Sequence, residues 1–183
     1  GSFGKVNAMS FNGNKIITTG GGGAILTDDE ALADYAKHIT TTAKVPHRWE
    51  FDHDEVAFNY RLPNINAALG CAQLEKMPEF IKQKRALTAF YEELVAPLEG
   101  VTLFKEPANS FSNYWLQTLI LDDTLVRDDV LAFLNDHGVM SRPIWTPLHK
   151  LKPYRDCPRA DLSTIERLNK KIINIPSTPI KEG

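Results

Sequence analysis

Cysteine is scarce in this chain: Cys71 and Cys157 stand far apart and form no Cys-x-x-Cys pair. That argues against a disulfide scaffold or a cysteine-ligated zinc fold, and makes a reduced, cytoplasmic setting with structural thiols the default expectation. No apolar run approaches the ~20 residues needed to cross a bilayer, and no signal peptide is recognisable, so no membrane partner is expected. Excess positive charge is lacking too. With 21 Lys and Arg against 23 Asp and Glu, the net charge is -2, which speaks against nucleic acid as a partner because a phosphate backbone calls for a basic face. Internal repeats and low-complexity tracts are absent. So is an initiator methionine: the chain opens Gly1-Ser2-Phe3-Gly4-Lys5 and stops at Pro179-Ile180-Lys181-Glu182-Gly183 without a closing helix, as a piece of a longer protein would.

What is present is ordinary globular sequence: 183 residues, 43% hydrophobic and 24% charged, enough for one or two small domains. Val6 to Phe11 alternates and reads as a strand, and Ile16-Ile17 and Ala24-Ile25-Leu26 read as buried strands flanking a glycine run. Thr27-Asp28-Asp29-Glu30 has the form of a capping box. The helix behind it would bury Leu32, Tyr35, Ala36 and Ile39 and stop at the β-branched Thr40-Thr41-Thr42. Residues 43–61 make a long loop with too many rings for disorder (His47, Trp49, Phe51, Phe58, Tyr60), to be ordered by packing that can include a second subunit. Pro63 opens one helix and Pro78 a second, longer one. After Gly100 the pattern predicts strands over 101–104 and 114–121, a helix over 126–137, a strand over 139–143, a helix over 163–171 and a strand over 172–175. That order predicts a small α/β domain over 100–183 behind a first domain over 1–99.

The chemistry concentrates in Ser10-Phe11-Asn12-Gly13-Asn14-Lys15, followed by Thr18-Thr19 and the glycines Gly20 to Gly23. A lysine amine is a nucleophile for an aldehyde, and a serine hydroxyl beside bare glycine backbone can hold a phosphate. Pyridoxal 5'-phosphate requires that pairing, since the lysine forms an imine with its aldehyde while the phosphate anchors it. The run is no Walker loop, having no closing Gly-Lys-Ser/Thr, and it lacks Gly-x-Gly-x-x-Gly spacing. On spacing alone, a solvated lysine ahead of a flexible turn accounts for the same letters.

A second block changes that balance: Phe58-Asn59-Tyr60-Arg61-Leu62-Pro63-Asn64-Ile65-Asn66-Ala67-Ala68-Leu69-Gly70-Cys71-Ala72-Gln73-Leu74. Together with the lysine motif it resembles the DegT/DnrJ/EryC1/StrS nucleotide-sugar aminotransferases, and covers the second half of such a protein. The stretches Thr40 to His47 and His53 to Val56 look most like the LegC-like branch, similar to perosamine synthetases.

The resemblance implies a pyridoxal-phosphate-dependent transferase of fold type I, aspartate aminotransferase-like, here the end of the large domain plus a small α/β domain. It implies Lys15 as the imine-forming lysine and proton carrier, Ser10 as a phosphate contact, and Asn59 as reaching the cofactor of the neighbouring subunit of a homodimer with shared active sites. Arg61 would receive an acidic group, most simply the α-carboxylate of glutamate, which its planar fork can hold in two bonds. His149 belongs to a segment, Pro143 to Lys150, that resembles the part closing over the sugar. The implied reaction moves the amino group of glutamate to a nucleotide-linked 4-keto-6-deoxy sugar in surface-glycan biosynthesis. Asn12 and Gly21 depart from the residues many relatives carry, which leaves the sugar subgroup open. A sugar dehydratase of the same fold would replace the imine lysine, so Lys15 argues against it; a non-catalytic cofactor-binding or regulatory protein is the other alternative. No metal is expected: His47 and His53 read as loop contacts, and the aspartate pairs sit at turns or helix starts.

Overall fold

Two short strands with small or polar residues where they cross form the first feature of the structure, a computed structural model that describes residues 3–179. Strands β1 (Asn7–Ser10) and β2 (Gly23–Leu26) pair antiparallel, with Ser10 opposite Gly23 and Met9 opposite Ala24. A side-chain carbon on Gly23 would sit 2.3 Å from the Met9 carbonyl oxygen, so this crossing demands glycine. The expected strand at Ile16-Ile17 is instead part of the loop joining β1 and β2. The Lys15 amide donates to the Asn12 carbonyl at 3.0 Å, and that tight turn ends any extended path. Ile17 is nonetheless buried.

Helix α1 (Glu30–Thr40) starts two residues later than the capping box suggests. Asp29 is its cap, accepting the Leu32 amide at 3.0 Å, while Thr27 accepts the Asp29 amide and donates to the Lys5 carbonyl. An aspartate carboxylate caps as well as threonine and adds charge of the sign the helix start favours. None of its residues is fully buried, and Tyr35 is exposed with its hydroxyl on Glu55. The threonines end it physically: the Thr40 and Thr41 hydroxyls donate back to the Ala36 and Lys37 carbonyls. Thr42 and Ala43 then turn the chain at φ 71° and 48°.

Helix α2 (Asn64–Val95) is one element of 32 residues, where the prolines predict two helices. Pro78 lies inside it. A proline keeps helical φ and removes one amide, here the donor to the Leu74 carbonyl; the turns on either side carry the helix through. The chain divides there into two compact units, Gly1–Pro78 and Glu79–Gly183.

The second unit has a four-stranded antiparallel sheet of order β3 (Val101–Leu103), β4 (Gln117–Leu121), β6 (Ile172–Ile175), β5 (Arg142–Pro143). Alternate residues of β4 are buried, and Leu119 pairs across with Ile173. That face packs with Val95 and Tyr91 of α2 and with Val130, Leu131 and Leu134 of α3 (Arg127–Asp136). Fully burying side chains such as Leu121 and Ile173 contributes about 1.5–3 kcal/mol each. Helix α3 ends at Gly138 with φ +79°. A short helix, α4 (Ser163–Asn169), precedes β6. No helix among the described residues is long and apolar enough to cross a membrane. Both cysteines are unpaired and exposed rather than structural. The expectations for Gly1-Ser2 and for residues 180–183 lie outside the described residues.

Candidate active site

Ser10 ends β1, and its Oγ accepts the Asn12 amide at 3.3 Å, leaving the hydroxyl proton to donate elsewhere. Asn12 Nδ2 donates to Asn14 Oδ1 within the same turn, and Lys15 follows at the turn's end, half-buried. The base of this loop is closed on both sides of Phe11. Its amide donates to the Gly22 carbonyl, and its carbonyl accepts the Thr19 amide and the Thr18 hydroxyl, all at 3.0 Å. Ser10 and Lys15 are thereby fixed to one hairpin rather than to a free loop.

The glycine run has the backbone the site needs. Gly20 and Gly22 hold φ of +82° and +87°, open to glycine at little cost, and a side-chain carbon on Gly22 would meet Leu62 at 2.7 Å. The first turns of α2 brace the loop from below. Asn66 Nδ2 donates to the Thr19 carbonyl at 2.5 Å, Gln73 accepts the Thr18 amide at 3.4 Å, and Gly70 lets Thr19 approach closely. An apolar cavity of about 160 Å³ lies here, lined by Phe11, Ile17, Leu62, Ala67, Cys71 and Leu74. Thr18, Thr19, Asn66 and Gln73 act on the site through position. The sequence hint for them was the polar pair set between Ile17 and the glycines.

Asn59 and Arg61 arrive just before α2. Asn59 bridges Thr41 as an isolated antiparallel pair, and the Phe58 and Tyr60 amides donate to the Ile39 and Thr40 carbonyls at 2.9 Å. Both side chains are exposed. Phe58 and Tyr60 stack with centroids 5.0 Å apart, and Lys44 lies 3.9 Å over the Phe51 ring, so the aromatic loop is ordered in large part by its own rings. His53 donates to the Thr42 carbonyl, and His47 accepts the Glu50 amide. The two motifs therefore meet through α2, with the lysine loop resting on its first turns and Asn59 to Arg61 leading into it.

His149 belongs to the second unit, in a 3-10 turn at Leu148–Lys150. Its Nε2 is 2.9 Å from Glu166 Oε1 of α4. Trp145 stacks on Trp115 at 6.0 Å, and its carbonyl accepts Asn169 Nδ2. Within that unit, His149 is held in place by a carboxylate.

The donors at Ser10 and Lys15 fit pyridoxal phosphate chemically: an amine for the aldehyde, a hydroxyl with an uncommitted proton for the phosphate, and a glycine crossing that no side chain can fill.

Residues 1–181 match the DegT/DnrJ/EryC1/StrS aminotransferase family. The chain is 41% identical over 149 residues to EpsN of Bacillus subtilis (strain 168), which carries the assignment of a pyridoxal phosphate-dependent aminotransferase; the match covers 81% of this chain and 38% of that protein. It is 35% identical to the GDP-perosamine synthase of Escherichia coli O157:H7, over 98% of this chain and 48% of that one. Among solved structures, the aminotransferase TlmJ from Streptoalloteichus hindustanus superposes with a TM-score of 0.87 at 27% identity, over 96% of this chain and 47% of TlmJ. The chain thus spans less than half the length of each of these three proteins. The expected aspartate aminotransferase-like α/β fold is the fold of these neighbours.

Proposed function

This chain belongs to the DegT/DnrJ/EryC1/StrS aminotransferase family, and from that premise we propose that it is the second half of a pyridoxal-phosphate-dependent nucleotide-sugar aminotransferase. The reaction exchanges the amino group of glutamate for the carbonyl oxygen of a nucleotide-linked 4-keto-6-deoxy sugar, leaving 2-oxoglutarate and an amino sugar for surface-glycan assembly. The names of EpsN and of GDP-perosamine synthase support the cofactor and the nucleotide-sugar class. Residues 1–99 would close the large domain and residues 100–183 form the small one.

The observation that carries this reading is the suspension of Lys15 from a hairpin whose root is Ser10, braced on α2. When bound, pyridoxal phosphate supplies an electron-accepting ring that stabilises negative charge at the amino-acid α-carbon. Ser10 Oγ–H would donate to the phosphate. Lys15 Nζ would hold the cofactor through its aldehyde and would be the base that carries the amino-acid α-proton, a role in which positioned groups contribute ~10²–10⁴ in rate. Arg61 binds the α-carboxylate of glutamate by two parallel hydrogen bonds and so orients the α-proton. His149, oriented by Glu166, contacts the sugar.

Asn59 serves the phosphate site of a second copy, making the enzyme a homodimer with shared sites. The exposed Trp49, Phe51, Val56 and Tyr60 in the loop that carries Asn59 suit such an interface.

The test is to incubate the full-length protein with glutamate and a panel of UDP- and GDP-linked 4-keto sugars and to read amino-sugar products by mass. The reading requires an amino sugar and 2-oxoglutarate in equal amounts, both lost in Lys15→Ala. Deoxygenated sugar with glutamate oxidised to 2-oxoglutarate and its nitrogen released as ammonia, and no amino sugar, would point to the dehydratase, and no reaction with any ketosugar to the non-catalytic protein.

A further inference from the structure

Away from the lysine loop, α1 and the aromatic loop bring three side chains with metal-binding atoms to one corner. His38 of α1 has Nε2 2.7 Å from Asp54 Oδ1, and one oxygen of Glu55 completes a set whose members all lie within 4.8 Å of one another. Tyr35, one turn before His38, donates its hydroxyl to Glu55 Oε2 at 3.1 Å and holds that carboxylate on the corner. The backbone beneath is firm: the Ala43 amide donates to the His38 carbonyl, the Asp54 amide donates to the Ala43 carbonyl, and Ala43 is fully buried.

We propose that His38, Asp54 and Glu55 form a site for a divalent transition-metal cation, zinc, cobalt or nickel, that staples the loop carrying Asn59 and Arg61 to α1. The donor set selects the cation class. One imidazole nitrogen with two carboxylates suits borderline first-row metals, whereas magnesium and calcium take all-oxygen shells. The geometry requires little adjustment. Bonds of about 2.0–2.2 Å in a tetrahedral site put ligand atoms about 3.3–3.5 Å apart. His38 and Asp54 must therefore open by under about 1 Å, and Glu55, on an exposed side chain, must close by up to about 1.5 Å. Water would take the fourth position. Since an imidazole ligand must be neutral, binding releases any proton held between His38 and Asp54, and the metal replaces that ion pair as the tie between helix and loop. The site is separate from the proposed catalytic groups and does not depend on pyridoxal phosphate.

The metal-stripped full-length protein is titrated with Zn²⁺ by calorimetry and with Co²⁺ by visible absorption. The inference requires one strong equivalent of Zn²⁺ and visible Co²⁺ bands of low-symmetry N/O coordination. His38→Ala and Glu55→Gln should each weaken binding at least about ten-fold, since loss of even an outer-shell partner of a ligand costs about 10–100-fold, while His137→Ala in the other unit leaves it unchanged. Circular dichroism of the metal-free variants confirms that they are folded, and Glu55→Gln, which preserves shape on an exposed residue, covers the case in which His38→Ala is not. An absence of binding, or equal affinity in the wild type, Glu55→Gln and any folded His38→Ala, overturns the proposal.

Discussion

Replacing Gly23 by alanine puts a carbon 2.3 Å from the Met9 carbonyl oxygen, 0.7 Å inside the 3.0 Å that such contacts essentially never breach. The obstacle is backbone, so no rotamer can relieve it; β1 and β2 must part at the pair Ser10–Gly23. Overpacking of this kind costs about 1–3 kcal/mol. At about 2–4 °C per kcal/mol for a chain of this length, the unfolding midpoint should fall by roughly 2–12 °C. Gly21→Ala is the internal control, because nothing lies within 4 Å of the added carbon and its φ is not in the left-handed region; it should stay within about 0.5 kcal/mol of wild type. The measurement is thermal unfolding by circular dichroism. Since Ser10 stands opposite Gly23, Gly23→Ala should also weaken pyridoxal phosphate binding by the full-length enzyme, read by equilibrium titration. A Gly23→Ala protein as stable as wild type, or a Gly21→Ala protein as impaired as Gly23→Ala, would refute the close-crossing argument.

Three further outcomes are expected. Arg85 binds Glu106 through two nitrogens, with the Ser112 amide on the same carboxylate, and holds its pKa down to about 2 from an ordinary 4.5. A depressed carboxylate stabilises the fold above its unfolded pKa and loses that contribution as pH falls. The stability advantage of wild type over Glu106→Gln should therefore be constant above about pH 5 and shrink between 4.5 and 2; an advantage as large at pH 2.5 as at pH 7, in urea titrations, contradicts it. Lys84, half-buried and with its pKa lowered by desolvation, donates to the Trp115 and Ser177 carbonyls. Lys84→Ala should cost about 1–3 kcal/mol in denaturant unfolding, the penalty of withdrawing a donor from two partly buried carbonyls, and no loss would remove it from the second unit's framework. Asp29→Ala should cost about 0.5–2 kcal/mol through the lost cap of α1, and Thr27→Val less, which denaturant titration of both variants compares.

The elements of the second unit were legible because strand alternation and the Gly138 stop are local signals: helix 126–137 and strand 172–175 appear as Arg127–Asp136 and Ile172–Ile175. The misses have nonlocal or competing causes. Ile16-Ile17 reads as strand from β-branching, yet the Asn12–Lys15 turn and burial of Ile17 among loop residues decide its conformation. Pro78 looks like a helix start, but a proline inside a long helix removes one hydrogen bond, and the bonded turns on either side continue the element. Thr27 and Asp29 are both competent caps, and the pull of the Lys5 carbonyl on Thr27 settles which is used. At the candidate site, the lysine and serine could be picked out by residue type. The support from Asn66 and Gln73 could not, because it depends on where α2 lies beneath a loop some fifty residues earlier.

The most direct measurement treats the full-length enzyme, loaded with pyridoxal phosphate, with borohydride and maps the labelled peptide. A pyridoxyl group on Lys15, absent in Lys15→Ala and prevented by prior conversion with glutamate, is the predicted result. A label on any other lysine, or none on a protein that holds the cofactor, would contradict the account.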